Sequence, residues 1–224
     1  ELFKIKMKVL YLGRNDQYSS KLLKFLKKKN LLVKKILIDK PIKLKIAPDA
    51  YDYVVCYRSY LILKKSFLSK IKFAAINFHP GPPSYRGIGC ANFSILNQEK
   101  IYGVTAHIIN EKIDNGSILD VKYFKVKKNI TLSQLLTKSY KAQFIQAKRI
   151  LDKIFDNPSI IKKMINKNKN ILWSKKLYTR KELDNIYNIK YPIHKTKFDT
   201  LIRATNYKDF KPYIALHNKK FILK

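Results

Sequence analysis

The chain has 224 residues, 46% of them hydrophobic and 28% charged, with a formal net charge of +33. So large an apolar fraction excludes a disordered polymer, and the length suits one large domain or one domain with a small appendage. No apolar run approaches the roughly 20 residues that span a bilayer, and no basic-then-apolar leader is visible.

Cys56 and Cys90, the two cysteines, make neither a disulfide framework nor, on their own, a zinc site. The expectation is a soluble, reduced, cytoplasmic protein that uses no metal and touches no membrane. Lysine and arginine number 48 against 15 acidic residues, yet only six of the 48 are arginine. Phosphate and base-edge recognition favours the planar arginine fork. The excess is lysine, spread end to end among many Ile and Asn, so a compositional bias explains it better than a nucleic-acid surface. Either origin attracts anionic substrates.

Lys8 to Gly13 reads as a short buried strand ending on glycine. A helix follows with Leu22, Leu23, Phe25 and Leu26 on one stripe and a stop at Asn30. Leu31 to Ile38 and Tyr53 to Tyr57 return to strand character, Leu63 to Ile71 is amphipathic, and Ala74 to Phe78 is a further strand. Gly103 to Ile109 and Ile118 to Val126 predict two more strands. This alternation predicts an α/β fold, a Rossmann-like and mostly parallel sheet with helices on both faces. Thr131-Leu132-Ser133-Gln134 has the form of a capping box, and the apolar spacing behind it predicts one long helix ending near Asn157-Pro158. Beyond it the pattern weakens into short elements, closing on a strand-like stretch, Tyr213 to Leu223, around a polar turn at Asn218. The expected organisation is a core over residues 1–160 and a small carboxy-terminal α+β subdomain over 161–224.

Five of the six glycines (Gly81, Gly87, Gly89, Gly103, Gly116) fall between residues 81 and 116, beside Pro80, Pro82 and Pro83. Glycine belongs where backbone turns tightly or approaches a ligand, and ligands of open α/β sheets bind beyond the carboxyl ends of strands. At such an end stand Asn77 and His79, two apart and so on one side of the strand. The amide can donate to a developing oxyanion and the imidazole can move a proton near neutral pH. Asp114 lies in the turn Asp114-Asn115-Gly116, and a carboxylate beside His79 would favour its charged form. From spacing alone a second reading stands equally: Asn-X-His satisfies loop amides, and Asp-Asn-Gly is a common hairpin turn. His107 alternates with Thr105 and Ile109 and reads as a hydrogen-bonded sheet histidine. Cys56 reads as a small core residue, and Cys90 has no base near it in sequence.

Together, Asn77-Phe78-His79-Pro80-Gly81-Pro82-Pro83-Ser84-Tyr85-Arg86-Gly87, Gly103-Val104-Thr105-Ala106-His107 and Ile113-Asp114-Asn115-Gly116 resemble the 10-formyltetrahydrofolate-dependent formyltransferase family. The similarity extends over about residues 7 to 155, and the motifs occur in the family's order. The resemblance implies that Asn77, His79 and Asp114 are catalytic in attack of an amine on the formyl carbon. It implies a folate held largely by backbone at Tyr60, Leu61 and Ile62 and at Asn110, Glu111, Lys112, Ile113 and Asp114. Ile88 stands where some sugar-modifying relatives carry an arginine, so a cofactor contact there departs from their pattern. Arg86 and Trp173 are the expected substrate-binding residues, Trp173 being either core filler or a stacking platform.

The string from His79 to Pro83, then Gly87-Ile88-Gly89-Cys90-Ala91-Asn92-Phe93, is most similar to the sugar-nucleotide N-formyltransferases of surface-polysaccharide pathways. The implied acceptor is the amine of a nucleotide-linked amino sugar, and a homodimer through the tail would suit the architecture. Two alternatives remain at this point. One is a methionyl-tRNA formyltransferase-like enzyme, although the tail is too short for the usual basic barrel of those enzymes. The other is a catalytically silent relative that binds folate or nucleic acid.

Overall fold

The computed structural model describes residues 6–40, 51–217 and 219–223. The apolar runs at the amino end become β1 (Met7–Gly13), α1 (Gln17–Lys28), β2 (Leu31–Leu37) and β3 (Tyr53–Tyr57). Asp16 caps α1 by accepting from the amides of Tyr18 and Ser19, which satisfies donors that the first helical turn leaves open. The amphipathic stretch expected from Leu63 to Ile71 shortens to α2 (Lys65–Leu68). No side chain caps its start, and the chain continues through i→i+3 turns, Lys70 N to Phe67 O and Ile71 N to Leu68 O. Those tighter turns bring Leu68 and Ile71 to the same side, against the sheet.

Next come β4 (Ala74–His79), the two-residue β5 (Arg86–Gly87), α3 (Cys90–Leu96), β6 (Ile101–Ile108) and β7 (Ile118–Lys125). The main sheet has the order β2-β1-β3-β4-β6-β7; its first four strands are parallel, and β6 and β7 join antiparallel. A strand's side chains alternate between faces, and here both faces are covered. Val9, Tyr11, Tyr53, Val55, Ile76 and Phe78 enter the main core beneath α1 and the long α4 (Leu132–Asp156). Leu10, Leu12, Val54, Cys56 and Ala75 pack on the other face against the α2 segment. Burial on both sides is why these strands read as continuous apolar runs.

Thr131 and Gln134 form the expected capping box at the start of α4. The buried face of α4 is not wholly apolar, and its polar members grip the sheet. Gln143 Nε2 donates to Phe78 O at 2.6 Å, Ser139 Oγ to Pro80 O at 3.0 Å, and Gln146 Nε2 to Val104 O at 3.2 Å. Phe78 and Pro80 flank His79, so α4 fixes the backbone on either side of that imidazole.

The remaining elements are α5 (Ile160–Lys167), β8 (Leu177–Tyr178), α6 (Arg180–Tyr187), α7 (Lys195–Thr205) and the hairpin β9 (Tyr213–Leu216) with β10 (Lys219–Ile222). The strand-like end is therefore present, while the turn residue Asn218 lies outside the described residues. Ile161, Met164 and Ile165 of α5 pack against the main core. Farther on, Leu183 and Ala204 share one buried cluster with Tyr85, Cys90, Phe93, Tyr102 and Leu135. β8 pairs with β5 beside the proline-rich loop, and Asn92 Nδ2 donates to Ala204 O at 2.7 Å. Among the described residues no helix is long and apolar enough to cross a membrane.

Candidate active site

Ile76 and Phe78 are drawn into the core under α1 and α4, so Asn77 and His79 turn to the opposite face at the carboxyl end of β4. The register with β6 sets His107 opposite Asn77 and Thr105 opposite His79. Asp114 comes back to this point from the turn between β6 and β7, in a left-handed conformation with φ +42°. Strain of that kind persists only where the surroundings enforce it. Here Gly87 N donates to Asp114 Oδ2 at 2.9 Å, and Arg86 Nε donates to the Asp114 carbonyl at 2.7 Å.

The three side chains converge. His79 Nδ1 stands 3.3 Å from Asp114 Oδ2, and Asn77 Nδ2 stands 3.4 Å from Asp114 Oδ1. His79 Nε2 donates to the Tyr85 carbonyl at 2.7 Å, which assigns a hydrogen to that nitrogen because a carbonyl only accepts. Burial by itself would raise the pKa of Asp114. The facing His79 ring and the Gly87 amide outweigh it and hold the carboxyl well below the usual carboxylate range.

His107, read from sequence as structural, and Cys90, read as lying near the site without a base, stand in the same cluster. His107 Nε2 is 3.0 Å from Asn77 Nδ2 and 3.5 Å from Asp114 Oδ1, and its Nδ1 is 2.8 Å from Ile108 O. It is the hydrogen-bonded sheet histidine expected, but its partner is Asn77. The readable signal was its alternation with Thr105 on a strand next to β4; what sequence cannot supply is the register. Cys90 Sγ lies 3.6 Å from His79 Nε2 and 3.4 Å from Tyr85 O. Burial pushes its thiol well above the ordinary range, so it stands there as a neutral spacer rather than a thiolate nucleophile.

Trp173 closes one side of the cluster. Its ring meets His79 edge-on at 5.9 Å and His107 at 5.0 Å, and its Nε1 donates to Gly116 O at 2.8 Å. Arg86, expected at the substrate, donates from all three guanidinium nitrogens to backbone: Nε to Asp114 O, Nη2 to Ile113 O and Nη1 to Ser174 O. It clamps the turn that carries Asp114 to the segment that carries Trp173.

The residues expected at the cofactor border two hollows. Asn110, Glu111 and Lys112, with Lys65 and Asn115, line a groove of about 420 Å³ between the turn after β6 and α2. Tyr60 and Ile88 line a cavity of about 540 Å³ that also reaches Cys90, Tyr140, Tyr187 and Tyr207. Leu61 packs under the sheet, whereas Ile62 and Ile113 are exposed. Among the described residues no three His, Cys, Asp or Glu side chains are grouped to hold a metal ion.

The sequence profile of the formyl transferase family matches residues 6–147. The chain belongs to that family. It is 35% identical over 123 residues to the bifunctional polymyxin resistance protein ArnA of Wigglesworthia glossinidia brevipalpis, covering 54% of this chain and 17% of that protein. It is 30% identical over 146 residues to methionyl-tRNA formyltransferase of Buchnera aphidicola subsp. Acyrthosiphon pisum, covering 65% of this chain and 44% of that one. The chain thus spans less than half the length of these relatives. A 4-N formyltransferase from Francisella tularensis superposes with a TM-score of 0.78 at 18% identity, covering 97% of this chain and 96% of its own. An N-formyltransferase from Helicobacter canadensis, in complex with folinic acid and dTDP-3-aminofucose, gives 0.69 at 20% identity and covers 96% and 86%. These likenesses establish that the family's mixed α/β fold extends through the tail.

Proposed function

We propose that this formyltransferase-family chain transfers the formyl group of 10-formyltetrahydrofolate to the amine of a nucleotide-linked amino sugar. The observation that carries the reading is the meeting of an amide, an imidazole and a carboxylate from β4 and the β6–β7 turn, with Asp114 within 3.4 Å of both partners. In the transfer, the amine lone pair forms a bond to the formyl carbon and the carbonyl electron pair moves onto oxygen. Collapse then breaks the bond from that carbon to the folate nitrogen, which gains a proton, while the amine loses one. Asn77 Nδ2 is the donor for the developing oxyanion, a role that relies on pre-aimed dipoles. His79 moves the proton, and ionised Asp114 holds the imidazole in place. The groove lined by Asn110, Glu111, Lys112 and Asn115 is where the folate would bind.

The acceptor assignment draws on the likeness of the fold. The fold matches that of the Francisella tularensis 4-N formyltransferase nearly end to end, and the Helicobacter canadensis protein holds a nucleotide-linked amino sugar. The test is incubation with 10-formyltetrahydrofolate and a panel of nucleotide-linked amino sugars, following tetrahydrofolate release. Turnover on at least one sugar is expected. Turnover only on charged initiator tRNA would overturn the acceptor, and turnover on neither would overturn the reaction.

A further inference from the structure

The two ends of a carboxamide have nearly the same shape, so packing alone does not decide which end of Asn77 presents N–H and which presents oxygen. Only neighbouring donors and acceptors can decide it. Two groups face Nδ2: Asp114 Oδ1 at 3.4 Å and His107 Nε2 at 3.0 Å. The second is the shorter contact, and whether it can accept depends on where His107 carries its hydrogen. Nδ1 of His107 lies 2.8 Å from the Ile108 carbonyl. A carbonyl only accepts, so Nδ1 carries a hydrogen; in the neutral ring the Nε2 lone pair is then left facing Asn77, with Asp114 Oδ1 farther off at 3.5 Å.

That carbonyl is itself held in place. Gly116 lies so close to it that a Cβ there would come within 1.7 Å of Ile108 O, and Ile108 N donates to Ser117 O at 2.9 Å. Trp173 presses edge-on against the His107 ring while donating to Gly116 O. The Gly116 turn, Ile108 O, His107 and Asn77 form a connected chain, with His107 buried and Asn77 half-buried at the sheet end.

We propose that His107 is a positioning residue that fixes the direction of the Asn77 carboxamide, so that its N–H end points into the reaction site. His107 holds one amide hydrogen; the other, on the longer contact to Asp114, is the one the formyl oxygen draws away. A reversed amide would aim lone pairs at the oxyanion and repel it. The inference rests on the reaction proposed above, and it makes His107 act through Asn77 rather than on substrate.

Two measurements test it. In the full-length protein labelled with ¹⁵N, long-range proton–nitrogen correlation near neutral pH is expected to show His107 protonated on Nδ1 and bare on Nε2. The opposite tautomer, or a ring protonated on both nitrogens, would overturn the proposal whether or not the chain is active. In kinetics, His107→Phe is expected to lower kcat roughly 10- to 100-fold, less than the loss of a whole oxyanion donor, with KM for the folate unchanged. The same change in an Asn77→Ala background is expected to cost almost nothing more. Losses that multiply in the double variant would show that His107 acts independently of Asn77. His107→Gln, which keeps an acceptor, is expected to recover most of the rate and serves if the Phe variant folds poorly. A wild-type protein with the expected tautomer and no turnover would count against the reaction alone.

Discussion

Asp114 joins three constraints in one residue: a left-handed backbone, a buried carboxylate, and contacts to both Asn77 and His79. Its carboxyl is held below the ordinary range in the folded chain. Between that depressed value and the unfolded one, about 3.9, the unfolded state binds more protons, so stability rises with pH there. The contribution is therefore complete above about pH 5 and is lost as the pH falls through the folded value. Urea unfolding followed from neutral pH into acid is expected to show wild type losing stability more steeply than Asp114→Asn below about pH 4. The same variant is expected to lower kcat by about 10²- to 10⁴-fold, the range for a lost acid–base partner. A near-normal rate would remove Asp114 from the mechanism. The residue types at this site were legible in sequence, since Asn77, His79 and Asp114 stand at a strand end and a turn. His107 was legible only as a sheet residue, because its role depends on which strand β6 pairs with and in which register.

At the scale of elements, the site is held by parts that local patterns describe unequally well. Capping is local, and Thr131–Gln134 forms as read. Thr131→Ala is expected to cost about 1 kcal/mol of stability in thermal or urea unfolding while leaving kcat unchanged. Arg86 is the opposite case, a side chain whose sequence neighbours say nothing about the three carbonyls it joins. Replacing it with lysine keeps the charge and loses the planar fork. Arg86→Lys is therefore expected to lower kcat and to speed amide exchange across the turn that bears Asp114; unchanged exchange in that turn would refute the clamp. The amphipathic stretch from Leu63 to Ile71 is helical only over Lys65–Leu68 for a physical reason as well. An amphipathic pattern records which residues face the core, and i→i+3 turns satisfy that pattern as well as an α-helix does over so short a span.

At the scale of the molecule, the tail is tied to the core through apolar contacts instead of owning a core of its own among the described residues. Leu183 of α6 is buried with Tyr85, Phe93 and Tyr102, close against Gly89 between β5 and α3. Leu183→Ala is expected to destabilise the chain by about 2–4 kcal/mol. Trp173 fluorescence and far-ultraviolet dichroism are expected to lose their signals in one shared transition. Two separated transitions would mean that tail and core unfold as independent units. By itself the sequence determined the strands of the main sheet, the flanking α1 and α4, the Thr131–Gln134 cap and the chemical types gathered after β4, since each of these is written in spacing over a few residues, whereas α3 was not read from it. The tertiary structure alone decided the strand order, the pairing of Asn77 with His107, the use of Arg86 as a clamp and the packing of Trp173 on two imidazoles. Those depend on contacts between segments 24 to 94 residues apart, and no local periodicity encodes the register at which distant strands meet.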